Sequence, residues 1–335
     1  MSNECHRRST VAVVIPCYNG AAYLRRALDS VFAQTYREFS VYVVDDGSSD
    51  DVEAALRPYA GRVFCVRQSH LGQGAARNHA IRLSDTAYVA FLDADDEWLP
   101  NKLERQVEVL EGDARLGMAY SDCTTSGSGP LAGSFFARNG IPSGGRIFER
   151  LLYSCDIYTP TVMVRRACLE QVGRFNESLA VGEDYNLWLR IAGRWDVAVI
   201  PEALAIRHVS PGSLSLTTTP DRVLKTMIAA FEHVMKSSPS LGSSDRKALR
   251  KAIAKRYYEY GSYLLREGER RESQRQLLRA LREGSKDWRL LPKLGLGFLP
   301  HGAFAFLRGL RQRLVPAPNP PIESLPMDSR SLDRR

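Results

Sequence analysis

The sequence predicts a doubly wound α/β fold with a mostly parallel sheet and helices on both faces, followed by an α-helical C-terminal region. In the first 120 residues, short continuous apolar runs alternate with segments whose apolar residues recur at helical spacing. Strands buried on both faces have such continuous runs, and strand–helix alternation leads to right-handed crossovers and parallel pairing. From residue 221 onward the pattern is helical.

Five strands and four helices are predicted in the first part of the chain. The first strand, Val11–Ile15, is followed by a helix over residues 21–34 that places its leucines on one face. The other predicted strands are Ser40–Val44, Arg62–Val66, Ala87–Leu92 and one that begins at Gly117. The other predicted helices are Asp51–Tyr59, Gly74–Leu83 and Asn101–Leu110. Ser49 or Asp50 is expected to cap the second helix.

The middle of the chain is less regular. Residues 124–146 are rich in Gly and Ser without periodicity, which predicts a mobile loop. A helix is expected over Gly182–Ala192, and Val197–Ile206 is expected to form a strand pair or an extended segment broken by Pro201.

The C-terminal part is predicted to be an antiparallel helix pair, Ala248–Arg266 and Glu272–Leu281, hinged at Gly268. The tail from Pro316 is rich in proline and is predicted to be disordered. We therefore expect three regions, a catalytic domain over 10–215, a basic helical region over 220–315 and a tail over 316–335.

Charge is distributed unevenly along the 335 residues. The whole chain carries a net charge of +8, while residues 246–313 hold 18 Lys or Arg and 6 Asp or Glu. A nearly neutral body thus carries a basic C-terminal segment, which suggests an anionic partner for that segment. The 44% of apolar residues are enough for a sizeable core, which excludes disorder for most of the chain.

The sequence is expected to be cytoplasmic. Its six cysteines form no C-x-x-C pair, and the N-terminal ten residues are polar, unlike a signal peptide. The weakly apolar stretch Leu294–Leu307 is interrupted by Pro300 and His301, so no membrane span is expected.

Acidic residues follow two of the predicted parallel strands. Asp45, Asp46 and Asp50 follow the second strand, and Asp93, Asp95 and Asp96 follow the fourth. Ligands bind beside the carboxyl ends of such strands, and crowded carboxylates repel one another unless a cation compensates them. Oxygen ligands suit Mg²⁺ or Mn²⁺, which hold diphosphates, although Asp and Gly at strand ends are also ordinary turn residues.

Two other nucleotide motifs are excluded. Gly72-Gln73-Gly74-Ala75-Ala76-Arg77 follows the third strand rather than the first, and it ends in Arg where a dinucleotide fingerprint has Gly or Ala. The sequence contains no G-x-x-x-x-G-K-[ST], which excludes a P-loop NTPase.

An ordered set of motifs resembles the family 2 glycosyltransferases of GT-A fold, a Rossmann-like architecture. The set comprises Val11–Gly20 (VAVVIPCYNG), Val43–Asp50 (VVDDGSSD), Gly74–Asn78 (GAARN), Phe91–Asp96 (FLDADD) and Gly182–Asp184 (GED). The resemblance covers roughly residues 10–215 and implies a transferase that uses a nucleoside-diphosphate sugar, expected to be UDP-linked, with Mn²⁺ or Mg²⁺.

The resemblance also implies a role for each matching residue. Pro16 and Tyr18 would line the base and ribose pocket, Asp46 would bind uracil or ribose, Arg77 the base or phosphate, and Asp93 the ribose. Asp95 would bind the metal, with His208 as a further ligand in some relatives. Asp184 would deprotonate the acceptor hydroxyl. One base and direct attack invert the anomeric centre.

Structural interpretations remain open for three of the residues singled out. Asp184 is also a typical carboxylate for the first turn of a helix, where it interacts favourably with the helix dipole. Trp188 suits either the core or an acceptor site, and His208 is equally explained as a core or surface histidine.

The acceptor suggested by the resemblance is a glycan or lipid-linked molecule in cell-surface polysaccharide synthesis. A non-catalytic sugar-nucleotide-binding or assembly protein on the same fold is the alternative, and the intact Asp95 and Asp184 argue against it. A nucleotidyltransferase would need a glycine-rich basic first loop, which the chain lacks.

Three interpretations apply to the basic C-terminal segment. It could pack on the catalytic domain, or it could lie on anionic lipid through Leu290–Leu314, which mixes Leu and Phe with Lys and Arg. Binding to nucleic acid is not expected, because the sequence holds no recognised module for it.

Overall fold

The computed structural model describes residues 10–127, 132–209, 219–287 and 289–296. The chain divides into two units, Met1–Phe148 with Asp156–Pro211 and Glu149–Cys155 with Gly212–Arg335.

A mixed sheet forms the first unit, with helices packed on it. Its strands are β1 Val11–Cys17, β2 Phe39–Asp45, β3 Val63–Arg67, β4 Tyr88–Phe91, β5 Glu97–Trp98, β6 Leu116–Thr125, β7 Gly133–Ser134, β8 Val162–Arg165 and β9 Asp196–Arg207. Its helices are α1 Ala21–Phe32, α2 Val52–Leu56, α3 Gln73–Leu83, α4 Lys102–Gly112, α5 Phe135–Asn139, α7 Arg166–Val172 and α8 Glu183–Ala192. Helix α6, Phe148–Leu151, belongs to the second unit except for its first residue.

The strand order is β3-β2-β1-β4-β8-β6-β9-β5, and β7 pairs with β6. The first four strands in this order are parallel to one another, so the carboxyl ends of β1, β2 and β4 meet at one edge. Strand β8 was not predicted and runs antiparallel to both β4 and β6, whereas β9 is parallel to β6. The predicted α/β fold is confirmed, but the sheet of the described residues is mixed rather than mostly parallel, because β8, β7 and β5 pair antiparallel with their neighbours.

The continuous apolar run of β1 is explained by its position inside the sheet. Residues Val11 to Ile15 are all fully buried. Because successive side chains of a strand point to opposite faces, both faces of the sheet must be covered there. Strand β3 has a similar composition but lies at the edge of the sheet, where Phe64 is 59% exposed.

Local details correct two predictions. The second helix is capped by Asp51, whose side chain accepts a hydrogen bond from the Ala54 amide, and not by Ser49 or Asp50. The segment around Pro201 is one strand, β9, whose register against β6 shifts after Ile200. A proline lacks the amide hydrogen needed in a regular ladder, so it is accommodated at such an irregularity.

The predicted loop over residues 124–146 was wrong in part. Strand β6 continues to Thr125, and β7 and α5 follow within the predicted loop. The buried Asp122 accounts for this order, because its carboxylate accepts hydrogen bonds from the Phe136 amide and the Ser134 hydroxyl. Contacts of this kind are invisible to composition and periodicity.

The second unit is helical, as predicted. Its helices are α9 Pro220–Ser237, α10 Ser243–Glu267, α11 Arg270–Arg282 and α12 Leu290–Leu296. Gly268 ends α10 with φ +94°, a left-handed conformation that glycine adopts at low cost. In the described ranges, no helix combines the length and apolar character needed to cross a bilayer. The proline-rich tail from Pro316 and residues 297–314 of the predicted lipid-binding stretch lie outside the described residues.

Candidate active site

Two groups of aspartates occupy the edge where the parallel strands end. We call Asp45, Asp46 and Asp50 the first acidic cluster and Asp93, Asp95 and Asp96 the second acidic cluster. The first follows β2 and the second follows β4, with β1 between these two strands in the sheet. This shared edge is the one that the sequence predicted for a ligand site.

Asp46 in the first acidic cluster holds a neighbouring loop. Its side chain is 3% exposed, and its two oxygens accept hydrogen bonds from the Leu71 and Gly72 amides at 2.9 and 2.8 Å. The Gln68 amide group donates at 2.7 Å, and His70 Nδ1 lies 2.9 Å from Oδ2. Asp46 therefore fixes the segment that leads into α3. The direct bond from Asp46 to the nucleotide, which the resemblance implied, stays a prediction.

The other two members of the first acidic cluster also bind backbone amides. Asp45 accepts from the Ser48 amide, and Asp50 accepts from the Ala21 amide, both at 2.8 Å. The loop after β2 is thereby tied to the beginning of α1. Carboxylates that accept amide hydrogens in this way build and hold loops.

Tyr18 forms an aromatic surface beside this loop. Its ring stacks on that of His70, with centroids 3.9 Å apart and an interplanar angle of 20°, and the residue is 50% exposed. Pro16 lies next to last in β1, opposite Val44 of β2. The accessible ring of Tyr18 can stack on a planar base. The roles of Tyr18 and Pro16 in the base and ribose pocket stay predictions.

Arg77 joins two parts of the site from within the protein. It is 1% exposed, and its guanidinium donates to Asp93 Oδ1 at 2.6 Å and to Glu183 Oε1 at 2.8 Å. Burial opposes its charge, but Asp93 and Glu183 outweigh that effect and raise the pKa of Arg77 above its ordinary value. Arg77 thus orients both carboxylates, and its expected bond to the base or phosphate stays a prediction.

Glu183 is a site residue to which sequence reasoning gave no role, although it stands in the GED motif. It is fully buried, and burial together with the charge of Asp184 raises its pKa to about 7. Gly74 permits the close approach of α3, because a Cβ at that position would lie 3.1 Å from Glu183 Cγ. A larger residue there would push α3, and with it Arg77, away from α8.

The second acidic cluster concentrates negative charge, of which Arg77 compensates the part on Asp93. Burial and the neighbouring Asp93 raise the pKa of Asp95 above the usual range. Asp96 is 4% exposed, and burial with the charges of Asp93 and Asp95 raises its pKa strongly. A bound cation would offset this repulsion.

His208 follows β9 and lies beside the second acidic cluster. Its backbone amide donates to Asp96 Oδ1 at 2.9 Å. Its Nε2 contacts Glu97 Oε1, and its Nδ1 lies 2.8 Å from Ser126 Oγ. The antiparallel pairing of β5 with β9 brings Glu97 opposite Ile206 and so creates this contact.

The donor set fits a divalent cation held mainly by its substrate. Within the described residues, no three His, Cys, Asp or Glu side chains are already arranged around a common metal position. Asp95 offers oxygen ligands whose charge is unfavourable without a cation. Mg²⁺ characteristically binds one or two carboxylates together with substrate phosphates, so a single protein carboxylate is sufficient. His208 could join as a metal ligand once a ring nitrogen has released its present partner, Glu97 or Ser126.

Asp184 lies beside Glu183 in the first turn of α8 but is only partly buried. The Thr159 hydroxyl donates to its Oδ2 at 2.9 Å. Neighbouring residues of one helix thus separate two functions, because Glu183 faces the interior and Asp184 remains accessible. The Tyr185 amide donates to the other Asp184 oxygen, Oδ1, at 2.6 Å. A partly exposed carboxylate oriented in this way can accept a proton from an approaching hydroxyl group.

Trp188 belongs to the core. It is fully buried and packs against Phe91 and Phe175, with ring centroids 5.9 and 6.1 Å apart. The structure brings Arg77, Asp93, Glu183 and Asp184 into one group. Asp46 is linked to that group only through the loop into α3. Sequence reasoning missed Thr159 and Glu97, which join the site through long-range contacts with Asp184 and His208 that no local motif indicates.

The chain is similar in sequence to known glycosyltransferases. The sequence model described as "Glycosyl transferase family 2" matches residues 12–173. The Escherichia coli UDP-Glc:alpha-D-GlcNAc-diphosphoundecaprenol beta-1,3-glucosyltransferase WfgD is 30% identical over 183 residues, which are 54% of this chain and 69% of that protein. Five uncharacterized glycosyltransferases of Rickettsia species are 29–32% identical, and the chain spans only 28–58% of their length.

Two solved structures share the fold. S. aureus TarS 1-349 in complex with UDP-GlcNAc superimposes with a TM-score of 0.64 at 17% identity, over 89% of this chain and 88% of that one. The mannosyltransferase PcManGT of Pyrobaculum calidifontis, in complex with GDP-Man and Mn²⁺, gives 0.59 at 19% identity, over 92% and 86%. With the GT-A fold of these neighbours and the sequence match to WfgD, the chain belongs to the family 2 glycosyltransferases.

Proposed function

We propose that the chain is an inverting glycosyltransferase. It would move a sugar from a nucleoside-diphosphate sugar, UDP-linked in view of WfgD and the TarS complex, to a hydroxyl of a glycan or lipid-linked acceptor in cell-surface polysaccharide synthesis. The observation that carries the proposal is the partly exposed Asp184, held by Thr159 beside the ion-paired group of Arg77, Asp93 and Glu183.

The residues of the site suit a direct displacement. Tyr18 offers a ring for the base, and the loop held by Asp46 lies next to it. Asp184 takes the proton of the acceptor hydroxyl as its oxygen forms a bond to the anomeric carbon. The bond from that carbon to the diphosphate oxygen breaks at the same time, and the configuration inverts. Arg77 keeps Asp93 and Glu183 in place during this step.

A divalent cation belongs to this proposal. Mn²⁺ or Mg²⁺ held by Asp95, and by His208 if its ring is released, would neutralise charge that develops on the departing diphosphate. The presence of Mn²⁺ in the PcManGT complex supports this choice of metal. Contact with the anionic inner face of the membrane, where a lipid-linked acceptor is found, is part of the same proposal.

Replacing Asp184 by Asn tests the assignment of the base. We expect the affinity for UDP to stay within about threefold, roughly 0.6 kcal/mol, because the side chain contacts the acceptor proton and not the nucleotide. Turnover should fall by about 10² or more, since the amide cannot take the proton. UDP release with Mn²⁺ and a panel of nucleotide sugars, together with calorimetry of UDP binding, measures both quantities.

The exposed Asp85 supplies a matched control, because Asp85→Asn makes the same chemical change away from the site. Near-normal turnover of Asp184→Asn would remove Asp184 from the mechanism. Tight UDP binding by the unmodified chain without turnover of any donor would favour a non-catalytic binding protein.

A further inference from the structure

Helix α11 of the second unit buries one side and exposes the other. The buried side consists of Ser273, Gln276, Leu277 and Ala280, and it packs against α10. We call the opposite side the outer face of α11; it consists of Arg271, Gln274, Arg275, Leu278, Arg279, Leu281 and Arg282. With 3.6 residues per turn, these residues cover roughly 160° of the helix circumference.

Cationic side chains predominate on the outer face of α11, although Arg279 also lies over the Tyr257 ring of α10, 5.6 Å from its centroid. The face carries four arginines and no carboxylate. Glu272 borders this face and accepts a hydrogen bond from Arg275 at 3.0 Å, yet the Arg275 side chain remains 74% exposed. Such a concentration of positive charge is complementary to an anionic partner.

Leucines lie among these arginines. Leu278 is 46% exposed and Leu281 38% exposed, although the helix has a buried side on which leucines could be placed. Leu291 of α12, which packs against α11, is 64% exposed. Exposed apolar residues surrounded by Arg are typical of helices that lie in the plane of a membrane interface, where the leucines enter the acyl region and the arginines contact lipid phosphates.

We propose that the outer face of α11 docks on an anionic phospholipid bilayer. The partner is a membrane rather than a nucleic acid, because the face carries no aromatic side chain for base stacking, and a nucleic acid would leave its leucines without apolar surroundings. The biological purpose rests on the proposed function, since a lipid-linked acceptor would be met at such a surface. Binding to vesicles itself does not depend on that function.

Co-sedimentation of the full chain with vesicles tests the proposal. We expect binding to vesicles of equal parts phosphatidylglycerol and phosphatidylcholine at low salt, and little binding to phosphatidylcholine alone. Each arginine near an anionic surface strengthens binding by about fivefold. The triple variant Arg271→Glu, Arg275→Glu, Arg282→Glu should therefore bind at least about 100-fold more weakly.

A second triple variant controls for net charge. Arg25→Glu, Arg37→Glu and Arg57→Glu make the same change at exposed positions of the first unit, and this variant should lose less than about fivefold. Equal losses by the two triple variants, or no loss by the first, would overturn the proposal.

The leucines separate a membrane from other anionic partners. Leu278→Ser with Leu281→Ser leaves the charge unchanged and should weaken vesicle binding about tenfold, because apolar burial is lost. Unchanged vesicle binding by this variant would contradict insertion into lipid and assign the face to anions in general. The UDP affinity of every variant should equal that of the unmodified chain. The UDP-release assay tests the proposed transferase function separately from vesicle binding.

Discussion

The two acidic clusters have the same residue type and the same place at strand ends, but their surroundings differ. In the first acidic cluster, Asp45, Asp46 and Asp50 each accept hydrogen bonds from backbone amides. In the second, burial and mutual repulsion raise the pKa of Asp95 and Asp96. The first cluster is held mainly by backbone amides, although Asp50 Oδ1 is buried without a hydrogen-bond partner in the described part of the chain. In the second cluster Arg77 pairs with Asp93, and a cation would relieve the remaining repulsion.

This difference shows that an acidic motif has no fixed meaning. A buried carboxylate is stabilised by two or more amide donors as effectively as by a positive ion. Removing a member of the first cluster should therefore damage the fold, and removing a member of the second should damage cation binding. Three measurements follow from this contrast.

Glu183, which adjoins the second cluster through Arg77 and Asp93, should give the largest effect. Its pKa in the folded protein is about 7, against an ordinary value of 4.5. Between these values the unfolded chain releases the proton first, so folding stability should fall as the pH rises from about 4.5 to 7. The loss should approach about 3 kcal/mol, and Glu183→Gln should abolish it.

Denaturant titrations of both proteins at several pH values measure this loss. The two proteins should agree below about pH 4.5 and diverge up to about pH 7, with the variant the more stable. If the free energies of unfolding of the two proteins changed in parallel across this range, Arg77 would be keeping Glu183 ionised.

Replacing Asp46 by Asn should cost stability in the first cluster. The Leu71 and Gly72 amides would lose a charged acceptor, and the new NH₂ group would face donors. We expect a loss of about 2 kcal/mol, which corresponds to a fall in Tm of roughly 5 °C. UDP affinity should fall to the same extent with Mn²⁺ and with EDTA, because the cation is not involved. Thermal melts compared with Asp85→Asn provide the control.

If Asp46→Asn lowered the UDP affinity in Mn²⁺ but not in EDTA, the assignment of the two clusters would be reversed. The same would follow if the variant melted like the unmodified chain, since its carboxylate would then not be holding the loop.

Replacing Asp95 by Asn should have the smallest and most selective effect. Stability should stay equal or rise slightly, because a charge that repels Asp93 and Asp96 is removed. UDP affinity in Mn²⁺ should fall about tenfold, to the value of the unmodified chain in EDTA. Calorimetry with UDP under both conditions measures this. Equal affinity of the unmodified chain in EDTA and in Mn²⁺ would exclude the metal assignment.

Local patterns were sufficient for much of the fold. The continuous apolar run of β1 predicted a fully buried strand, and the hinge at Gly268 predicted the helix pair α10–α11. Strand β8 escaped prediction, because Val162–Arg165 is short and is recognisable as a strand only through its partners β4 and β6. The structure after Thr125 was missed for a similar reason, since Asp122 orders it from outside the segment.

The sequence by itself determined the residue types at the site and their order along the chain. It placed the aspartates at strand ends, because apolar runs and turn residues mark where strands stop. It also indicated Asp184 through its motif. These properties depend on neighbours within a few positions, and such neighbours can be read along the chain.

Only the tertiary structure decided what each of those residues does. Arg77 is bonded to Glu183, 106 residues away, and His208 to Glu97, 111 residues away. Such pairs form because the strand order brings the ends of distant segments together, and burial then strengthens every charge interaction among them. For this reason Asp46 holds a loop, Glu183 shares an arginine and Asp184 stays accessible, although all three are carboxylates in similar motifs.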